Sequence, residues 1–285
     1  MPTQLDVLVA LLDLEPIEVN LFRGHSPVDR WQRVFGGQVI GQALMAATRT
    51  VDDRVCHSLH AYFLRPGDPK VPILYQVDRA RDGRSFTSRR VVAIQHGKQI
   101  FNLAASFQVV ETGLDHQVDM PDVAGPEGLS SDAEIRQAIA GDLPEKFRAF
   151  FSRSRPIELR PVEPLNLLHP PAAAPKQNIW FRVPGTLPDE VAIQQSVLAY
   201  MSDMTLLDTS TNPHAINFLN PKMQAASLDH AMWFHRPFRA DQWLLYAQDS
   251  PSASGARGFS RGSIFDTAGR LVASVAQEGL IRVHE

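Results

Sequence analysis

The sequence predicts an α+β fold written twice: two tandem domains, each a long apolar helix followed by an antiparallel sheet. Three observations predict it. The phrase "SLHAYFLRPGD" (58–68) returns as "SLDHAMWFHRPF" (227–238). A segment of helical period precedes each copy, and a series of strand-like runs with turn signals follows it. In register, Phe63, Arg65 and Pro66 correspond to Phe234, Arg236 and Pro237, and Leu74, Tyr75 and Asp78 to Leu245, Tyr246 and Asp249, all 171 residues apart. The register then drifts slightly, with Arg84 and Phe86 opposite Arg257 and Phe259 and Gly97 opposite Gly269. A period this long does not describe a solenoid; it describes two similar domains fused in one chain.

In copy one, "FGGQVIGQALMAATRTV" (35–51) sets Val39, Ala43 and Ala47 four apart with Ile40 and Leu44 beside them, an apolar helical face. In copy two the helix is expected from Asp189, as N-cap, to about Leu206, with Ile193, Val197 and Met201 as its stripe. Strands are expected near 55–64, 71–80, 86–95 and 99–110, and again near 226–235, 242–249, 256–265 and 270–283. "QHGKQ" and "DTAGR" read as the hairpin turns between the last two strands of each copy. These elements divide the chain into a domain over 1–110, a linker over 111–175 and a domain over 176–285. The linker is rich in proline and acids, has an expected helix near 131–152 and is stiffest at "HPPAAAP".

Composition narrows the classes. The 285 residues are 44% hydrophobic and 21% charged with a net charge of −3, which fits a soluble globular protein and disfavours nucleic acid as a partner. One cysteine, Cys56, excludes an internal disulfide and fits a reducing cytoplasm. "MPTQLDVLVALLDLE" is amphipathic with internal acids, unlike a signal peptide, and no run of about 18 apolar residues exists to span a membrane. The ten histidines show no ligand spacing, so neither a metal nor another cofactor is expected.

"LFRG", "VFGGQVIGQAL", "HSLHAYFLRPGD", "RDGRSF", "SDMTLL", "DHAMWFHRPF" and "VAQEG" follow one another as in acyl-CoA thioesterase II, which this chain resembles from about Leu5 to Val283. The resemblance implies a double hotdog, in which each of two domains wraps an antiparallel sheet around a central helix. It implies an acyl-CoA hydrolase of fatty acid metabolism that releases free acid and CoA from medium- to long-chain substrates. It further implies that an aspartate, a threonine and a glutamine hold the attacking water, here Asp203, Ser227 and Gln277. The middle residue departs from the pattern: serine keeps the hydroxyl and loses a methyl group. A double hotdog resembles a fused dimer, so further pairing into a dimer or tetramer is expected.

The residues themselves bear on this trio. Asp203 near a helix C-terminus opposes the dipole by about 0.3–1 kcal/mol; alone, that fits a solvated acid as well as a base. Gln277 shares a strand face with Leu271, Ala273, Val275, Gly279, Ile281 and Val283, where an amide needs partners or costs roughly 1–3 kcal/mol. A core glutamine bonded to backbone meets that need too. Ser227 alone is an ordinary serine at a strand start. The repeat is an internal control: copy one has Cys56 opposite Ser227, Ala105 opposite Gln277 and, with Val39 over Val197, Met45 opposite Asp203. Polar groups found in one copy only are better candidates for chemistry than the shared Phe234, Arg236 and Pro237.

Around the trio, Gly36 and Gly37 open the copy-one helix, where backbone N–H groups suit an oxyanion; a tight turn explains the glycines equally well. His57 is a further candidate to line the site. Arg84, Arg89, Arg90, Arg257 and Arg261 are candidates for the CoA phosphates, or simply solvated. Four rivals remain. "GFSRG" with Asp266 and His284 matches a nucleophile elbow in order, though it runs into a strand rather than a helix. Cys56 and His57 are strand neighbours that face opposite ways and cannot pair. A non-catalytic acyl-CoA-binding module or a hydratase on the same fold would lack the trio's task.

Overall fold

The computed structural model describes residues 3–27, 33–143, 148 and 155–284. Its helices are α1 (Gln4–Leu12), α2 (Gly36–Thr48), α3 (Asp132–Ala138) and α4 (Val191–Ser202). Its strands are β1 (Glu15–Glu18), β2 (Leu21–Gly24), β3 (Val55–Phe63), β4 (Ile73–Asp82), β5 (Phe86–Gln95), β6 (Lys98–Gln108), β7 (Glu158–Pro161), β8 (Lys176–Arg182), β9 (Met223–Ser227), β10 (Asp229–Phe234), β11 (Leu244–Ser254), β12 (Arg257–Asp266) and β13 (Leu271–Val283). A 3-10 helix covers Leu207–His214. No described helix is long and apolar enough to cross a membrane.

The chain forms two compact units that interleave along the sequence. The first comprises Met1–His116, Leu187–Met204 and Leu228–His235; the second comprises Gln117–Thr186, Thr205–Ser227 and Arg236–Glu285. This division cuts the chain differently from the tandem repeat, because α4 and β10 of the second copy pack with the first.

In the first unit the sheet runs β1-β2-β4-β5-β6-β3-β10. The pairing of β3 with β10 is antiparallel and centred on His60 opposite Ala231. Those residues are 171 apart, so equivalent residues of the two copies face each other there, and the separation changes by two at each neighbouring pair, as antiparallel strands require. His96 and Gly97 both take positive φ (49° and 68°), giving the two-residue turn that "QHGKQ" predicts between β5 and β6.

Helix α2 lies on this sheet and is buried from Gly37 to Ala47. Its buried Gln42 is fully used: Nε2 donates to the Leu11 and His25 carbonyls at 2.7 and 3.1 Å, and Oε1 accepts from Tyr75 at 2.7 Å. Glycines bring α2 against α4. A Cβ on Gly41 would lie 2.9 Å from the Ser196 carbonyl oxygen, and one on Gly37 would collide with that of Tyr200. Backbone cannot yield as a side-chain tip does. Gly37→Ala is expected to cost about 1–3 kcal/mol of stability, read as a lower urea midpoint at unchanged m-value.

Helix α4 departs from expectation at both ends. Its N-cap is Glu190, without a side-chain hydrogen bond, and not Asp189; it stops at Ser202 and does not reach Leu206. The strand expected over 226–235 is two strands. The Leu228 carbonyl between them accepts from Phe63 N–H at 2.9 Å, so β10 joins β3 while β9 pairs with β13.

In the second unit the sheet runs β13-β12-β11-β8-β7, and β9 pairs with β13. The 111–175 segment does more than cross the surface. Met120, Val123 and Leu129 pack on the cluster of Trp180, Leu245 and Phe265. Gln117 brackets the turn before β13, donating to the Gly269 carbonyl at 2.8 Å and accepting from Leu271 N–H at 3.0 Å. The helix expected near 131–152 is described as α3 over its first turns; 144–147 and 149–152 lie outside the described residues.

Candidate active site

In the first unit, the end of α4 presents Asp203. It is the C-cap, half-buried, and its N–H reaches back to the Met201 carbonyl. Its carboxylate lies against the first residue of α2: a Cβ added to Gly36 would stand 2.5 Å from Asp203 Oδ2. Phe35 caps α2 with no side-chain hydrogen bond, and α2 has no acid in its first turn. The Asp203 charge therefore opposes the dipole of its own helix and is favoured by that of α2. This replaces the solvated acid that the sequence alone allows. The two glycines differ in role. Gly36 leaves room for the carboxylate; Gly37 leaves room for the Tyr200 carbonyl, a packing requirement.

His57 sits in β3 of the same unit, with Nε2 2.8 Å from Ser106 Oγ and its ring edge-on to Phe86. Burial lowers its pKa, which favours the neutral ring. Cys56 is buried, and burial pushes its thiol up to about 12, so it is no nucleophile at neutral pH. Arg84 is exposed at the turn into β5. Arg89 is fully buried, held by Thr50 and an ion pair to Asp82, and is withdrawn as a phosphate ligand.

In the second unit, Ser227 ends β9 opposite Gly279 of β13, and Gln277 lies two residues along the same face of β13. Diagonal cross-strand neighbours of this kind are about 7–8 Å apart, within reach of a long side chain. Gln277 is 1% exposed, and Ala273, Val275 and Gly279 of its row are buried as expected. Across β12–β13, Gln277 faces Ser260, also buried. Ser260 stands inside a strand whose inner face is Gly258, Ser260 and Gly262. Those glycines admit Ser210 and the Tyr246 ring. There is no strand-turn-helix, and Asp266 lies six residues further along β12, roughly 20 Å away at strand rise. The nucleophile-elbow reading of "GFSRG" is therefore wrong. Arg257 and Arg261 are paired with Glu278 and Asp249 at 2.9 and 2.5 Å, so neither charge is free for a phosphate without exchange.

Residues 147–280 match the family described as acyl-CoA thioesterase, and residues 25–108 match the acyl-CoA thioesterase N-terminal domain. The chain is 43% identical over 282 residues to acyl-CoA thioesterase 2 of Haemophilus influenzae, covering 99% of each. It belongs to the acyl-CoA thioesterase II family. It is thus an enzyme, a thioester hydrolase. Acyl-CoA thioesterase II TesB2 from Mycobacterium marinum is 43% identical, with a TM-score of 0.78 and 98% of both chains covered. A hot dog fold protein from Alicyclobacillus acidocaldarius, 16% identical with a TM-score of 0.75, shares the fold over 98% of this chain. The fold of this thioesterase is the tandem hotdog that the resemblance implies.

Two polar residues of this thioesterase escaped the sequence reading, Ser202 and His230, both fully buried and joined at 2.9 Å in the first unit. The signal was present. In the same registers that set Ser227 against Cys56, His230 falls opposite Leu59 and Ser202 opposite Leu44.

Proposed function

We propose that this thioesterase hydrolyses medium- to long-chain acyl-CoA to free fatty acid and CoA in the cytoplasm, with Asp203, Ser227 and Gln277 holding and activating the water. Family membership supports the reaction; the buried Gln277, one diagonal from Ser227 in an otherwise apolar row, is the observation that carries the residue assignment.

In this reading the Asp203 carboxylate takes a proton from water as the oxygen adds to the thioester carbonyl carbon. Ser227 and Gln277 orient that water through their hydroxyl and amide. The oxyanion is stabilised by backbone N–H groups at the start of α2, beside Gly36. The C–S bond then breaks, and the CoA thiolate takes the proton from Asp203, restoring the carboxylate. A thiolate is a good leaving group, so no stronger acid is needed. Arg84, which is exposed, and Arg257, on exchange from Glu278, are the cations proposed for the CoA phosphates, and His57 is proposed to line the site. The enzyme is proposed to act as a dimer or tetramer.

Thiol release measured over acyl-CoA substrates from four to eighteen carbons tests this. Turnover should peak at medium to long chains. Ser227→Ala and Gln277→Ala should each lower kcat by roughly 10- to 1,000-fold. Near-normal turnover by both, together with Asp203→Asn, would sink the assignment.

A further inference from the structure

Ser202 is the last residue of α4, and Asp203 follows it as C-cap. The Ser202 hydroxyl donates to the Ala199 carbonyl at 2.9 Å and lies 2.9 Å from Nε2 of His230 on β10. A hydroxyl has one proton, and here it is directed to Ala199. The bond to His230 must then run from imidazole to hydroxyl, which places the ring proton on Nε2. Burial pushes the His230 pKa down to about 3, in keeping with a neutral ring. Its Nδ1 is buried and makes no hydrogen bond among the described residues.

The fold does not require this polar chain. In the same registers of copy one stand Leu44 and Leu59, both fully buried. A polar pair in such a place is costly unless its geometry serves a purpose. Its one evident effect is to clamp the final turn of α4, where backbone carbonyls otherwise lack partners and the helix frays. The residue that follows is Asp203, whose carboxylate must meet Gly36 with little tolerance.

We propose that His230, acting through Ser202, is a positioning residue that fixes the last turn of α4 and so aims the Asp203 carboxylate. This rests on the reading of Asp203 as the base. The test is a double-mutant cycle on the full-length enzyme with dodecanoyl-CoA, following thiol release and thermal unfolding. His230→Leu and Ser202→Ala should each lower kcat roughly 10- to 100-fold, with KM within about twofold. The double variant should be no worse than either single one. His230→Gln, which keeps a donor near the Nε2 position, should recover most of the loss.

Independent losses that multiply, a change confined to KM, or a His230→Gln variant no better than His230→Leu would each overturn the proposal. The conservative Ser202→Ala variant serves if His230→Leu does not fold. Full activity in Ser202→Ala beside an inactive Asp203→Asn defeats this inference alone. Full activity in Asp203→Asn defeats the base assignment, and this inference with it.

Discussion

Asp203→Asn is expected to lower kcat for acyl-CoA hydrolysis by about 10²–10⁴-fold, the usual contribution of a positioned general base. Asparagine keeps the size and removes the proton-accepting charge. Because the carboxylate is seated at the uncapped start of α2, the charge also contributes to packing there. A helix-terminus charge is worth roughly 0.3–1 kcal/mol, so the variant should lose little stability while losing most of its activity. Substrate binding should change little, because in the proposed mechanism Asp203 meets the attacking water and not the CoA or acyl portion. Single-turnover kinetics separate the cases. A slowed chemical step at unchanged affinity supports the base; weakened binding at an unchanged chemical step contradicts it.

Stability is expected to fall as pH drops below about 6.5, with His230 a main cause. Burial pushes its folded pKa down to about 3 from the ordinary 6.5. Between those values the unfolded chain binds a proton that the folded one refuses, so unfolding is favoured as pH falls. The contribution is fully present above 6.5 and is lost progressively toward 3. Each unit of this window is worth about 1.4 kcal/mol, or roughly 2 kcal/mol between pH 6.5 and 5. His230→Gln removes the titration and keeps a donor for Ser202. Urea unfolding at pH 7 and pH 5 should show a smaller drop in the variant than in the parent. Equal drops would mean that the folded protein protonates His230 readily.

The fold was legible where the signal is local. Alternation and helical spacing located α2 and the strand-forming stretches after each helix, because a strand's inner face and a helix's apolar stripe have fixed periods. The family resemblance pointed to Gln277 and Ser227, and comparison of the copies set them apart, because copy one has Ala105 and Cys56 in their places. It did not recover Ser202 and His230, where a leucine pair in one copy became a hydrogen-bonded pair in the other. The ends of α4, the break at Leu228 and the packing of Met120, Val123 and Leu129 were not legible either. Each depends on a partner distant in sequence, and local periodicity carries no information about partners.

The sequence by itself determined the number of copies, their 171-residue register and the strand face that holds the amide. That His60 meets its equivalent, Ala231, is a feature of the antiparallel pairing, which the repeat register does not dictate. Tertiary structure alone decided what Asp203 lies against. Periodicity could place it near a helix end, where its own dipole is unfavourable, but could not name what it meets. The fold sets that carboxylate against Gly36, 167 residues earlier, at a second helix whose first turn favours the charge that the first one resists.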